Sequence, residues 1–265
     1  AGPAGLSAAY HLRRFGHALM EPISLAIAVL ALLLGGVLKG AIGAGAPVVA
    51  VPIISMLYGV PTAVCVLLLP NLFSNLLQAW QFRKHLVSPK FALLFAGSGA
   101  LGAGIGSLLL AGLPAAILMR IVAFIVVGYV VFRLLRPAWK LSQNVAMLWA
   151  APAGLIAGIM QGAGGISAPV SLTFLNALKL ERPVFMATVS IFFVAMKLVQ
   201  IPALLALGVM TPERLNFSIL AIIPLLAGMP IGTRIASHVP AYVFDKLLLA
   251  LLSVVALKLI FLPNV

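Results

Sequence analysis

Acidic side chains are almost missing from this chain. Its 265 residues include only four Asp and Glu, against 17 Lys and Arg. All four acids stand at the ends of apolar runs, at Glu21, Glu181, Glu213 and Asp245. Buried carboxylates and histidines are the usual proton relays of membrane pumps and transporters. Their absence from the apolar segments argues against carboxylate-based proton exchange.

Cysteine and histidine are also scarce. The single cysteine, Cys65, cannot form an internal disulfide. The four histidines avoid the middle of every apolar run and stand at His11, His17, His85 and His238. No Ser/His/Asp, Cys/His or metal-ligand cluster stands out, so the sequence predicts no enzyme, no metal site and no cofactor.

Charge of either sign makes up only 8% of the chain, whereas 63% is hydrophobic and the mean hydropathy is +1.22. A soluble domain carries about 25% charged residues. Apolar runs here recur at the ~17–25 residues that cross a bilayer. Lipid cannot satisfy free backbone groups, and the alternating segments of a barrel are lacking. The composition therefore predicts an all-α polytopic membrane protein.

The net charge of +13 resembles that of a nucleic-acid-binding protein, but its distribution does not. Loops rich in Lys and Arg remain cytoplasmic in membrane proteins. We therefore interpret the charge as a topology signal and predict no nucleic-acid partner. Most of the basic residues fall in short connections or at segment ends, including Arg83, Lys84, Lys90, Arg133, Arg136, Lys140, Lys179 and Arg182.

The first 17 residues resemble the glycine turn and first helix of a Rossmann dinucleotide-binding unit. That unit needs a preceding strand and a following βα unit to hold a pyrophosphate. A membrane segment begins by Ile23 and leaves no room for the following βα unit, so we expect no working dinucleotide site. We interpret residues 1–21 as a tail or a surface helix without nucleotide-binding function.

Two twelve-residue stretches, 36–47 and 158–169, interrupt long apolar runs in nearly the same way. In each, glycine occupies the first, fifth and eighth positions and proline the twelfth, 122 residues apart. We interpret four of these residues as helix breaks: Gly36, Pro47, Gly158 and Pro169. Paired Gly/Pro interruptions in corresponding positions of two halves point to the binding site of a transporter.

The duplication extends along most of the chain. Pro61 matches Pro183 and Gln78 matches Gln200 at the same spacing of 122 residues. This predicts two homologous halves, 22–136 and 145–265, joined by a basic connector at 137–144. Five segments are predicted per half, at 23–38, 42–58, 61–82, 91–112 and 115–135, then at 145–160, 165–178, 184–208, 215–237 and 241–262.

The basic connections suggest how the two halves are oriented. The loop 83–90 and the connection 133–140 are both basic and are separated by two spans, so both can be cytoplasmic. Five crossings per half is an odd number. The second half is therefore predicted to be an inverted repeat of the first.

The glycine breaks offer backbone amides and the positive end of a helix dipole, which together bind anions without a charged side chain. This predicts a substrate site at the two breaks. Close helix packing through small residues is the alternative role. The predicted contributors are Gly40, Gly43, Gly45, Gly162, Gly165 and Ser167.

Two lysines lie inside apolar segments, Lys39 in the first break and Lys197 in the middle of segment 184–208. A cation costs roughly 2.5–3.5 kcal/mol at the centre of a membrane helix on insertion scales. Without acids nearby, both are predicted to face a mobile anion. The alternative is that the side chains extend to the membrane surface.

Neutral amides accompany the lysines. Asn71, Asn75 and Gln78 share one helix face by their spacing, and Lys197 and Gln200 share the equivalent face of the second half. In the repeat, Lys39 corresponds to Gln161 and Asn75 to Lys197. We expect these faces to oppose each other around a substrate, with ordinary interhelical hydrogen bonding as the alternative.

The combination of a Gly-rich break leading into proline, Pro61-Thr62-Ala63, and Asn71 with Asn75, repeated in a second half, resembles the sulfite exporter TauE/SafE family. The resemblance covers residues 25–262. It implies transport of sulfite, sulfonates or related organic anions across the cytoplasmic membrane of a bacterium. The second break departs from the family pattern, since Ile166 and Ser167 follow Gly165.

The sequence thus predicts a multi-pass transporter that binds a small anion near the middle of the bilayer and works by alternating access. Its expected partners are that anion and the lipid bilayer, and a homo-oligomer is left open. An anion channel and a non-transporting scaffold or assembly factor are the alternatives.

Overall fold

The described part of the chain is all helical. In this computed structural model it comprises residues 22–43, 46–86, 88–135 and 140–236, and no β-strand occurs within them. The tail 1–21 with its Rossmann-like turn, the tenth predicted segment 241–262 and Gly45 lie outside the described residues. The predicted all-α polytopic fold is confirmed.

Eleven helices make up the described residues. Nine of the ten predicted segments correspond to one of these helices, or to a consecutive pair. The helices are α1 (Pro22–Ile42), α2 (Ala46–Tyr58), α3 (Val60–Val66), α4 (Leu68–Gln81), α5 (Pro89–Gly112), α6 (Ala115–Leu135), α7 (Gln143–Gly164), α8 (Ala168–Ala177), α9 (Arg182–Ala206), α10 (Pro212–Leu220) and α11 (Ile222–Ala236).

Prolines divide two of the predicted segments into helix pairs. A proline lacks the N–H that would bond the carbonyl four residues earlier, and its ring clashes with that carbonyl. Pro70 lies four residues after Val66, where α3 ends, and Pro224 lies four residues after Leu220, where α10 ends. The helical hydrogen bonding of each of the two segments is therefore interrupted one turn before its proline.

Six stretches are long and apolar enough to cross a membrane. They are 22–42, 60–81, 89–112, 143–164, 182–206 and 212–235. Large apolar side chains cover their outer surfaces, with Leu93 74% and Leu148 75% exposed. Such surfaces are stable against hydrocarbon and costly in water. The chain is a multi-pass membrane protein.

Helices α2 and α8 are too short to cross a bilayer. They have 13 and 10 residues, which is roughly 20 and 15 Å of helix against the ~30 Å of a hydrocarbon core. Each follows one of the two glycine breaks directly. Both breaks therefore connect a long helix to a short one within the membrane-spanning part of the molecule.

Helices α5 and α7 cross through glycine along a contact that we call the first seam. A Cβ added at Gly102 would overlap the backbone oxygen of Leu155, and one at Gly162 would overlap that of Ala103. Only glycine allows two helix backbones to approach this closely. The first seam joins α5 of the first half to α7 of the second.

A second seam joins α1 of the first half to α11 of the second. A Cβ at Gly36 would overlap the backbone oxygen of Leu225, and one at Gly228 would overlap that of Leu33. In the predicted repeat α1 corresponds to α7 and α11 to α5. The two seams therefore join the same pair of equivalent helices, with the two halves exchanged. This supports the internal repeat, whose inversion remains a prediction.

Candidate functional site

Both glycine breaks have the same local geometry. Gly43 has φ +85° and Gly165 has φ +73°, in the left-handed region that disfavours residues with a Cβ. The Gly43 amide donates to the Lys39 carbonyl at 2.7 Å, and the Gly165 amide donates to the Gln161 carbonyl at 2.9 Å. The two positions are 122 residues apart, so the sequence repeat is accompanied by the same backbone turn at both places.

The observed helix breaks cover fewer residues than the twelve-residue stretches that predicted them. Gly36 and Gly40 lie within α1, and Gly158 and Gly162 lie within α7, so none of the four breaks a helix. The interpretation of Gly36 and Gly158 as breaks was wrong. The free-energy cost of glycine in a helix, about 1 kcal/mol relative to alanine, is offset here by close contact along the seams.

The two prolines begin helices instead of breaking them. Pro47 and Pro169 occupy the second positions of α2 and α8. A proline near a helix start sacrifices no hydrogen bond, since the first N–H groups of a helix have no intrahelical partner. They therefore fix where the short helices resume after Gly43 and Gly165.

Lys39 is held by an amide from the third predicted segment. Its Nζ donates to Asn75 Oδ1 at 2.8 Å, and Asn75 Nδ2 donates in turn to the Asn71 carbonyl at 2.6 Å. The ammonium also lies 5.9 Å from the centre of the Phe193 ring, within the range of a cation–π contact. Lys39 is 1% exposed, which contradicts the alternative in which it extends to the membrane surface.

Lys197 begins a similar chain of contacts in the second half. Its Nζ donates to Gln200 Oε1 at 2.7 Å, and Gln200 Nε2 donates to the backbone oxygen of Gln161 at 3.3 Å. Gln161 Nε2 donates to the Gly165 oxygen at 3.0 Å. This sequence of bonds connects a buried lysine of α9 to the second glycine break.

The polar faces of α4 and α9 meet. Ser190 Oγ donates to Gln78 Oε1 at 3.5 Å, and Lys39 touches both Asn75 and Phe193. Residues later in α4 thus lie beside residues earlier in α9, which indicates that the two helices run antiparallel. Equivalent helices of an inverted repeat would run this way, so the register supports the predicted inversion.

Ser167 lies at the start of α8 and is 2% exposed. Ser171, one turn later, donates through Oγ to the Ser167 carbonyl at 2.9 Å, and its Oγ lies 3.3 Å from Ser167 Oγ. The sequence prediction included Ser167 but not Ser171. A serine four residues after a predicted site residue is the signal that would have identified it.

Two other contacts were not foreseen. The sequence prediction does not include Phe193, although this residue stands one helical turn before Lys197. The sequence predicts Arg182 only as a charge in a connection, but its Nη2 donates to the Ala41 oxygen at 3.2 Å, close to the first break. A guanidinium at the C-terminal end of α1 also complements the helix dipole.

Hydrogen-bond donors exceed acceptors among the buried polar side chains that these contacts connect. We call them the polar cluster: Lys39, Asn71, Asn75, Gln78, Gln161, Ser190, Lys197 and Gln200. Each lysine ammonium has three N–H groups and one amide acceptor among the described residues, and Asn71 Nδ2 is buried without an acceptor. Against these stands Gln161 Oε1, the fully buried acceptor of the cluster that has no partner among the described residues. The side chains of this cluster are at most 4% exposed, so the cluster is closed to solvent.

Negative charge is remote from the cluster. The acids within the described residues are Glu181 and Glu213, and both are exposed at the starts of helices. The cluster therefore combines two buried cations with unused N–H groups. Such an arrangement can hold a small anion.

Substituting Gly165 by alanine is expected to lower the melting temperature, because the left-handed backbone costs a residue with a Cβ about 1–2 kcal/mol. The new Cβ would also lie 3.1 Å from side-chain carbons of Val51 and Val64. Gly208 is the matched control, since its φ is +67° but a Cβ there meets no atom within 4 Å. A thermal melt of both variants should show the larger loss at Gly165, and equal losses would contradict tight packing at the break.

One family model, described as Sulfite exporter TauE/SafE, matches residues 27–259. The match includes both breaks, both lysines and all the amides of the cluster. No curated protein and no solved structure shows significant similarity to the chain.

Proposed function

The chain belongs to the Sulfite exporter TauE/SafE family of membrane transporters, and from that premise we propose that it carries a small anion across a bacterial cytoplasmic membrane. The substrate class is sulfite, a sulfonate or a related sulfur-containing or organic anion. The binding site is the polar cluster between α1, α4, α7 and α9.

The excess of hydrogen-bond donors in the closed cluster is the observation that carries this proposal. A buried polar group without a partner costs about 1–3 kcal/mol, and more when it is charged. The oxygen atoms of an anion would accept bonds from the unused N–H groups of Lys39, Lys197 and Asn71. A metal cation would find few oxygen ligands there and two positive charges.

Closure of the cluster favours a carrier over an open pore. A carrier has to hold its substrate in a site that is shut on both sides at some stage of the cycle, and the cluster is buried on all sides. Because the two seams cross between the halves, a rocking motion would carry α1 together with α11 and α5 together with α7. The two short helices, α2 and α8, would move with the breaks that precede them.

Binding is tested by thermal unfolding of purified protein with sulfite, thiosulfate, sulfate, sulfonates and short carboxylates. A ligand that binds only the folded state stabilises it by about 2.7 kcal/mol at 100 times its Kd. At least one of these anions is expected to raise the melting temperature in a concentration-dependent way, and chloride at the same ionic strength is the control.

Transport is tested by counterflow in proteoliposomes loaded with the anion that binds. A carrier is expected to show saturation and faster uptake of labelled anion when unlabelled anion is inside. Flux without either property would identify a channel. Absence of flux and of binding for every anion in the series would leave a scaffold or assembly factor and would refute the proposed function.

A further inference from the structure

Among the described residues, Gln161 presents an acceptor that is fully buried without a partner, in a cluster where lysine and asparagine donors are unused. The side chain is 1% exposed, and its Nε2 donates to the Gly165 oxygen at 3.0 Å. Its Oε1 is buried without a partner. The two ends of one amide therefore differ, since Nε2 is bonded at the glycine break and Oε1 has no partner.

The orientation of this amide is fixed by its surroundings. Turning it over would set Oε1 against the Gly165 oxygen, so that two acceptors would face each other without a proton between them. The backbone of Gln161 is held as well, since its carbonyl accepts from Gln200 Nε2 at 3.3 Å. Oε1 is therefore the free end of the side chain.

We infer that Gln161 Oε1 accepts a hydrogen bond from the transported anion itself, and that the site therefore prefers anions that carry their own O–H or N–H group. This inference rests on the proposed function and narrows its substrate class. Hydrogensulfite, hydroxysulfonates, aminosulfonates and hydroxycarboxylates have such a donor. Sulfate and unsubstituted alkylsulfonates are oxyanions without one.

The physical reason is the cost of an unpaired buried acceptor. An anion without a donor would occupy the lysine and asparagine N–H groups but would leave Oε1 desolvated. Sites built to bond a substrate O–H or N–H discriminate strongly against analogues that lack it. A single neutral hydrogen bond corresponds to a preference of about tenfold in Kd.

The test compares anions that differ by one hydroxyl at equal charge, namely 2-hydroxyethanesulfonate with ethanesulfonate, and glycolate with acetate. Their Kd values are measured by calorimetry on purified protein. The wild-type protein is expected to bind the hydroxylated member of each pair about tenfold more tightly. Equal Kd values within both pairs would overturn the inference.

Two substitutions separate recognition from structure. Gln161→Met removes both ends of the amide, whereas Gln161→Lys keeps a donor for the Gly165 oxygen, removes the acceptor and copies the residue at the equivalent position, Lys39. The first should weaken anion binding and the second strengthen it, yet both should abolish the hydroxyl preference. Gln143→Met, on the exposed start of the same helix, should leave the preference unchanged.

The remaining outcomes are also decisive. A hydroxyl preference that survives in both Gln161 variants would assign it to another residue and overturn the inference. The protein could bind sulfite but none of the four paired sulfonates and carboxylates. Gln161→Met should then weaken sulfite binding about tenfold, and an unchanged Kd for sulfite would overturn the inference. Failure of the wild-type protein to bind any anion would instead refute the proposed function.

Discussion

Replacing Lys39 and Lys197 together by glutamine should abolish anion binding and counterflow while the protein remains folded. Each ammonium would form charge-assisted bonds to the substrate, which contribute about 1.5–3 kcal/mol apiece. Each single substitution should therefore raise the Kd by about 10- to 100-fold. The double variant should lose binding altogether, because it removes both lysine ammonium groups of the cluster.

Glutamine is chosen because it preserves the contacts that the free protein needs. Lys39→Gln keeps an N–H group for Asn75 Oδ1, and Lys197→Gln keeps one for Gln200 Oε1. Neither change leaves a carboxylate unpaired, since no acid contacts either lysine in the described structure. The chain itself carries Gln161 at the position that corresponds to Lys39, so an amide is compatible with this environment.

Unfolding and binding are measured on the same samples. In the absence of anion, the variants should melt near the wild-type temperature or above it, since a buried charge without a counter-ion opposes folding. Lys90→Gln removes one charge from the exposed first turn of α5 and should alter neither property. Unchanged anion affinity in the double variant would show that the lysines do not bind the substrate.

Much of the fold follows from local patterns. Apolar runs of membrane length predict the helices, and the spacing of Asn71, Asn75 and Gln78 predicts a shared face that the structure does bury. The eighth positions of the duplicated stretches, Gly43 and Gly165, have the left-handed backbone that glycine adopts readily. These features depend on near neighbours in the chain, which is why a sequence can reveal them.

The roles of other glycines could not be predicted in this way. Gly36 and Gly43 belong to the same stretch, yet one packs in a seam and the other ends a helix. Helix propensity is the same at both positions, and the tertiary contacts distinguish them, since Gly36 packs against α11 and Gly43 against Met186 of α9. Likewise, no local rule pairs Lys39 with Asn75 across 36 residues, because that bond depends on how α1 and α4 cross.

Contacts between the two halves at the glycine breaks give evidence for the internal repeat beyond the spacing of the sequence. A Cβ at Gly43 would overlap the Met186 side chain, and a Cβ at Gly165 would lie 3.1 Å from Val64 Cγ2. Met186 and Val64 are themselves 122 residues apart. Each break thus packs against the equivalent residue of the opposite half. This exchange is expected of two halves related by a twofold axis.

Substituting Gly102 by alanine should strongly destabilise the protein, because the added methyl group would overlap the backbone oxygen of Leu155 in the first seam. A backbone atom cannot move aside as the tip of a flexible side chain can. The helices α5 and α7 would have to separate along the whole crossing, and overpacking of this kind costs about 1–3 kcal/mol or more. The same substitution at Gly228 should have a similar effect in the second seam.

Gly97→Ala on the same helix is the matched control, and its effect should have the opposite sign. Gly97 is exposed, and a Cβ there meets no atom within 4 Å. Alanine is the better helix former by about 1 kcal/mol, so this variant should be as stable as the wild type or more so. Melting temperatures in detergent measure both changes. If Gly102→Ala were as stable as Gly97→Ala, the helices would not touch at the first seam, and the reciprocal packing of the two halves would lose its main support.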